Sequence, residues 1–296
     1  MSEFKISLLH ATFKPENSPL QIRSAWLNRA EKPESIQYIV TYNYDDLVVT
    51  KLLFPYANAL QKSNLLFLPN TQARGITTVS NWNLAAKASL GKLLLVVSDD
   101  LVPDFGWDSK IHSIVKDSGI DPDKDLAVWK LTDFKCSTLR EEGFLLRHPL
   151  VTRGWYMLKG EIFDSSFEAR GCDDALLLDA VSEKSLYDGR EIKLHHSVGP
   201  ILSQDNLLLC QCFSSKDSAK KKEKVLSHSQ RLHKENGHVA QAKLKRRGFF
   251  AYYILLPLLA NSRYSKSVTR VNHSRKVSLK NSIFLIFMRI KLLLRC

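Results

Sequence analysis

The sequence predicts an α/β fold: a mostly parallel sheet flanked by helices, with a basic extension after it. Three observations carry that prediction. Short apolar runs alternate with segments of helical spacing over roughly the first hundred residues. The runs are rich in leucine, β-branched and aromatic residues, as strands of a sheet covered by helices are. Charge is divided along the chain. Through Ser215 there are 23 Lys and Arg against 27 Asp and Glu, and from Lys216 onward 20 against 3, although the 296 residues together carry +13. Residues 1–215 therefore read as a mildly acidic globular domain, and residues 216–296 as a basic, partly apolar tail.

The elements follow in order. Phe4–Leu9 is the first predicted strand. Ser18-Pro19 supplies a cap and first turn for a helix over Pro19–Arg29. Ile36–Tyr42 (IQYIVTY) has the composition of a buried strand, and Asn64–Leu68 is a third short apolar run. Thr77–Leu90 has helical spacing and stops at Gly91, a residue type favoured just past a helix end. Lys92–Val97 is the fourth strand. Beyond Pro103 the pattern weakens. The aspartate-rich stretch Asp117–Asp125 is predicted as a solvated loop, Leu126–Leu131 and Gly154–Leu158 as strands, and Asp173–Val181 as a helix.

Several function classes are excluded or set aside. The five cysteines (Cys136, Cys172, Cys210, Cys212 and Cys296) are too few and scattered for a disulfide framework, and Cys210-Gln211-Cys212 lacks the two-residue spacing usual in zinc pairs. They are expected to be reduced. The start MSEFKISLLH has no basic segment followed by a long apolar one, so no secretory signal is expected and the chain is read as cytoplasmic. In the tail, basic clusters at Lys220–Lys224 and Lys243–Arg247 flank apolar runs at Gly248–Ala260 and Ile283–Leu294. Each run is about a dozen residues, short of the roughly 20 needed to span a bilayer. The tail is read either as unstructured or as helices lying on an anionic membrane surface, making the protein peripheral there. No recognition motif accompanies the basic clusters, so no nucleic acid partner is expected.

Ligands of open α/β sheets bind at the carboxyl ends of the strands. The polar groups just after the apolar runs are therefore the candidates: Thr12, then Asp45 and Asp46, then Ser98-Asp99-Asp100. Two carboxylates at the end of a buried strand are costly unless something positive binds there. A divalent cation carrying a diphosphate would satisfy them, because Mg²⁺ favours a few carboxylates plus phosphate oxygens. The ordinary alternative is a turn whose aspartates cap a helix or face water.

The stretch from Asn83 to Pro103, NLAAKASLGKLLLVVSDDLVP, followed by Asp104-Phe105-Gly106-Trp107, resembles the family-2 glycosyltransferases of the GT-A fold. Those proteins run from an Asn through a small-residue helix and an apolar strand to an Asp-x-Asp motif and a Pro/Gly-Trp turn. Gly75 matches a Gly preceding the helix. Further on, His148–Tyr156 and Phe163-Asp164-Ser165-Ser166-Phe167 resemble the family's acceptor-side segments. Cys172-Asp173-Asp174 stands where an acidic pair opens a helix, and Leu194-His195-His196-Ser197 resembles a late metal-site His. The match covers roughly residues 4–200. It departs at Ser98 in place of the first Asp, at Cys172 in place of Glu, and at His10-Ala11-Thr12-Phe13 in place of Pro-Thr-x-Asn.

The resemblance implies a GT-A nucleotide-diphospho-sugar transferase fold and an inverting, metal-assisted transfer to a hydroxyl of a glycan, lipid or protein. The donor would be UDP-, GDP- or dTDP-linked. Asp173, or else Asp174, would be the base. Asp100 and His196 would hold Mg²⁺ or Mn²⁺. Thr12, Asp45, Asp46, Arg74, Asn83 and Asp99 would line the donor site. The alternative, motivated by Ser98 and Cys172, is an impaired relative that binds nucleotide sugar or glycan without transfer. Each residue also has a bland reading. Asp173 and Asp174 would suit a helix N-terminus, His195 and His196 a structural role, Asp45-Asp46 a turn, and Trp107 and Trp155 core packing. Arg153 would bind a phosphate or pair with a surface carboxylate.

Overall fold

The computed structural model describes residues 5–12, 19–46, 50–51, 53, 64–71, 78–134, 146–169 and 171–196, with the backbone alone at 133, 134 and 196. Along them lie β1 (Ile6–Ala11), α1 (Pro19–Leu27), β2 (Ile36–Asn43), β3 (Leu65–Asn70), α2 (Thr78–Ala88), β4 (Leu93–Ser98), β5 (Leu101–Pro103), α3 (Trp107–Ser118), β6 (Val128–Phe134), β7 (Leu150–Thr152), α4 (Arg153–Lys159), α5 (Cys172–Ser182) and β8 (Leu186–His196). The sheet order is β3-β2-β1-β4-β7-β6-β8-β5. The first four strands are parallel, β7 runs against β4 and β6, and β5 runs against β8.

Parallel strands covered on both faces should be apolar throughout. Accordingly β1 is buried along its whole length, and in β4 only the terminal Ser98 is partly open. Ile6, Leu8, Tyr38, Val40, Leu95 and Val97 share a core with Trp26 of α1 and with Trp107 and Ile111 of α3. Trp26 and Trp107 meet edge to face at 5.0 Å between centroids. Gly91 does not cap α2 through a left-handed backbone, for its φ is not positive. It is needed for close approach: a Cβ there would lie 2.6 Å from the Ser7 nitrogen on β1.

Two expectations need correction. Gly154–Leu158 is not a strand but the body of α4. Thr152 caps that helix by accepting a hydrogen bond from the Trp155 amide, and Gly160, with φ 75°, ends it. Gly154 fits because a side chain would strike the Lys124–Asp125 backbone at 2.6 Å. The Asp117–Asp125 loop is also shorter than expected, since α3 continues to Ser118 and stops at Gly119, φ 69°. Helix α3 went unread although Trp107, Ile111 and Val115 recur every four residues on its buried side.

Asp108, in the first turn of α3, is fully buried. Its carboxylate accepts from the backbone amides of Glu31 (2.9 Å) and Lys32 (2.8 Å), tying α3 to the turn after α1. Asp108→Ala removes both acceptors and is expected to cost about 2 kcal/mol. For a domain of this size that lowers the thermal midpoint by about 4–8 °C, readable by calorimetry. An unchanged midpoint would show that water replaces the carboxylate at no cost.

The tail, residues 216–296, and its expected boundary at 215 lie outside the described residues. Among the described residues no helix is long and apolar enough to cross a membrane.

Candidate functional site

The chain runs β1 to β2 to β3 on one side of β1 and returns to place β4 on the other. Strand order therefore reverses between β1 and β4, which opens a crevice beyond their carboxyl ends. Ala11 of β1 is level with Ser98 of β4 and Thr41 of β2. Thr12 and the Ser98-Asp99-Asp100 turn thus flank this crevice, as the sequence pattern expected.

Two indoles hold the acidic turn from either side. The Trp82 Nε1–H donates to the Val97 carbonyl just before it (3.0 Å), and the Trp26 Nε1–H to the Leu101 carbonyl just after it (2.9 Å). Within the turn the Ser98 hydroxyl donates to Asp100 Oδ1 at 2.8 Å. Ser98, which departs from the family pattern, thus orients Asp100, and that carboxylate is partly exposed. Asp99 is turned inward and is only 3% exposed. Its Oδ1 lies 2.9 Å from His10 Nε2, and His10 Nδ1 lies 2.8 Å from the Tyr38 hydroxyl. His10 and Tyr38 are fully buried on β1 and β2. Burial, and secondarily the charge of Asp99, holds the Tyr38 phenol well above its ordinary pKa, so it stays protonated. It then donates to Nδ1, leaving Nε2–H to donate to Asp99, and all three groups are satisfied. Sequence reading missed this chain of bonds. It took His10 for a strand end, whereas pairing with β2 and β4 continues through Ala11.

At the end of β1, the Thr12 hydroxyl oxygen is buried without a hydrogen-bond partner. Asp45 is exposed and Asp46 half-buried, in the turn after β2. Beside them is a ladder of amides that the sequence reading also missed. Asn70 donates to Asn81 (2.9 Å), and Asn81 donates to Asn43 (2.8 Å), linking the ends of β3 and β2 to α2. Arg74 lies outside the described residues.

Asn83 is engaged by the chain's own backbone. Its Oδ1 accepts from the amides of Ile162 and Phe163, and its Nδ2 donates to the Phe163 carbonyl at 2.7 Å. The Trp82 ring packs on Phe163 at 5.3 Å. Since Trp82 also bonds the end of β4, the segment leading into α5 is tied to the same edge as the acidic turn. Asp173 and Asp174 occupy the first turn of α5 and are half-buried. Burial raises the Asp173 pKa above the ordinary range, and the backbone amides of Asp174, Asp173 and Gly171, with Arg147, only partly oppose it. That shift favours the protonated form of Asp173 relative to a free aspartate. Cys172 is buried with its thiol donating to the Ala169 carbonyl, a packing role for the position where Glu was expected.

The other candidates separate cleanly. The His196 backbone is paired with Leu101, one residue beyond Asp100, while His195 bonds Asp104 at 2.6 Å on the surface. Trp107 and Trp155 are buried and belong to the packing, not to a sugar platform. Arg153 is taken up mainly by the backbone: its guanidinium donates to the carbonyls of Ser89 and Gly91 beyond the end of α2, and the surface carboxylate of Asp123 acts on it through its charge. Among the described residues no group of three or more His, Cys, Asp or Glu could hold a metal ion. The partly exposed Asp100 carboxylate nevertheless fits a cation shared with a diphosphate, because Mg²⁺ takes one or two carboxylates and completes its shell from phosphates and water.

No protein-family model and no curated protein matches the sequence. Solved structures do match in fold. A crystal structure of S. aureus TarS 1–349 in complex with UDP superposes with TM-score 0.50 at 12% identity, over 66% of this chain and 61% of that one. One of GalNAc-T7 with UDP, GalNAc and Mn²⁺ gives TM-score 0.51 at 10% identity, over 67% of this chain and 44% of that one. The chain thus spans less than two thirds of either. At such identities the likeness establishes the fold, which is the expected GT-A architecture.

Proposed function

We propose that this chain is an inverting glycosyltransferase resembling family 2, moving a sugar from a nucleotide diphosphate to a hydroxyl of a glycan, lipid or protein. The reading rests on one coincidence: the crevice where strand order reverses is also where the oriented carboxylate of Asp100 stands. The two superposable structures that contain UDP, one of them with Mn²⁺, support a nucleotide donor and a divalent cation.

The nucleoside, UDP-, GDP- or dTDP-linked, lies across the ends of β1 and β2, against Thr12, Asp45 and Asp46, with Arg74 in the same role. The diphosphate lies over the Ser98–Asp100 turn. Asp100, with His196 on the neighbouring strand, would hold Mg²⁺ or Mn²⁺, which supplies neutralisation of the leaving diphosphate. Asp173 takes the proton from the acceptor hydroxyl as that oxygen bonds to the anomeric carbon and the nucleoside diphosphate departs. Asp174 is the second choice for that role. One base and no enzyme nucleophile give inversion. The tail would bring the domain to an anionic membrane surface.

The test is a thermal-shift screen of UDP-, GDP- and dTDP-sugars with and without Mn²⁺. A true donor at a hundred times its Kd adds about 2.7 kcal/mol. One nucleotide class is therefore expected to raise the midpoint by about 5–10 °C, and only with the cation. If no class shifts it, the proposal fails. A shift with no sugar transfer or donor hydrolysis would favour the impaired, binding-only relative.

A further inference from the structure

Asp99 and Asp100 are neighbours in one turn, yet they point to opposite sides of it. Asp100 is partly open and held by Ser98 (2.8 Å); Asp99 is 3% exposed and held by His10 (2.9 Å). Alternation along β4 sends the two to opposite faces, and His10 holds Asp99 on the buried one. His10 is fully buried between β2 and β4, and its ring is fixed in plane by Tyr38 at 2.8 Å and edge to face with the Tyr38 ring at 5.7 Å. A neutral imidazole has one donor and one acceptor nitrogen, and here both are used. In this arrangement the Tyr38 proton, both ring nitrogens and Asp99 Oδ1 all find partners out of water. The strand register reinforces it. His10, Tyr38 and Val97 lie on the sheet face that packs on α1, and the alternation of β4 carries Asp99, two residues past Val97, to that same face and within reach of His10.

We infer that His10 and Tyr38 are positioning residues for the donor site. By locking Asp99 under the sheet they leave Asp100 as the one carboxylate of the turn offered to the cation, aimed at the diphosphate. The inference rests on the donor-site reading above. Its chemical consequence is a cation site that is incomplete without the nucleotide. With one carboxylate of the turn partly open to solvent, Mn²⁺ binds weakly alone and tightly once phosphate oxygens join it. Releasing Asp99 disrupts this, because a buried carboxylate stripped of its donor must be rehydrated. The turn then moves outward and carries Asp100 with it.

The experiment measures free Mn²⁺ by electron paramagnetic resonance in titrations of the full chain, alone and with UDP, GDP or dTDP, each taken relative to the same nucleotide without protein so that chelation by the free diphosphate is subtracted. In the unsubstituted protein the nucleotide of the donor class is expected to tighten Mn²⁺ binding at least about tenfold, as phosphate ligands complete the shell. His10→Leu, which keeps the volume but removes the N–H, is expected to weaken nucleotide-supported Mn²⁺ binding about tenfold or more, the loss of a hydrogen bond to a buried charge. Tyr38→Phe, the milder change in case His10→Leu does not fold, should weaken it by about three- to tenfold. His10→Gln, which keeps an N–H for Asp99, is expected to restore most of it. A merely structural role would lower the thermal midpoint in all three variants while leaving the Mn²⁺ constant alone, and that result would overturn the inference. Tight Mn²⁺ binding without nucleotide in the unsubstituted chain would overturn it as well. If none of the three nucleotides alters Mn²⁺ binding in the unsubstituted chain, the donor reading falls and the inference with it.

Discussion

Asp173→Asn is expected to lower turnover by about 10²–10⁴-fold, the range a positioned carboxylate contributes as general base. Donor binding should survive, because Asp173 stands on α5 and not in the acidic turn proposed to meet the diphosphate. Unfolding would not explain the loss. Burial raises the Asp173 pKa in the folded chain, so the folded state disfavours its charged form. By linkage, that group subtracts stability as pH rises from the ordinary aspartate value of 3.8 through the raised one, and above it the loss is complete. A neutral Asn removes this cost, so the midpoint at pH 7 should be unchanged or slightly higher. The same shift sets the pH profile: kcat/KM should fall with acid through a limb lying above the ordinary carboxylate range, and that limb should vanish in the residual activity of Asp173→Asn. Wild-type turnover in this variant would end the assignment, and Asp174→Asn would then be the variant to examine.

The parallel half of the sheet was legible because its signal is local. Strands buried on both faces must be apolar, so Ile36–Tyr42 and Lys92–Val97 announced themselves, and the structure moves their ends by only a residue or so. The same signal failed beyond Pro103. Helix α4 has seven residues, too few for a period to emerge, and its start is set by Thr152 and the tight fit of Gly154 on the Lys124–Asp125 backbone. β8 contains Gly189 and shifts register opposite Leu131/Thr132, so its side-chain alternation is broken. The site divides in the same way. Ser98-Asp99-Asp100 could be found from its place after an apolar strand. What distinguishes its two aspartates could not, because His10 and Asp99 are 89 residues apart in sequence and meet only once β1 and β4 are paired. Asn83 shows the same limit from the other side: spacing assigned it to the donor site, while its amide serves the Ile162–Phe163 backbone, a contact that no local pattern encodes.

Asp100→Ala is expected to abolish the Mn²⁺ dependence of donor binding and to reduce donor hydrolysis by about 10²–10³-fold, the usual cost of losing one preorganised electrostatic group at a developing charge. The magnitude follows from how little else in the turn can substitute. Asp99 is committed to His10, and Ser98 offers a hydroxyl that already donates to Asp100. Asp100→Asn keeps the size of the side chain and an oxygen for the Ser98 bond but removes the charge, so it should be nearly as damaging. Ser98→Ala removes only the hydrogen bond that orients Asp100 and should cost about fivefold, the worth of roughly 1 kcal/mol. That ordering, with both Asp100 variants far below Ser98→Ala, separates a cation ligand from a residue that merely shapes the turn. If Ser98→Ala matched Asp100→Ala, the hydrogen bond rather than the carboxylate would be what the site requires. If Asp100→Ala kept full Mn²⁺ dependence, the cation would have to be held elsewhere, and the donor site would need to be moved from this turn.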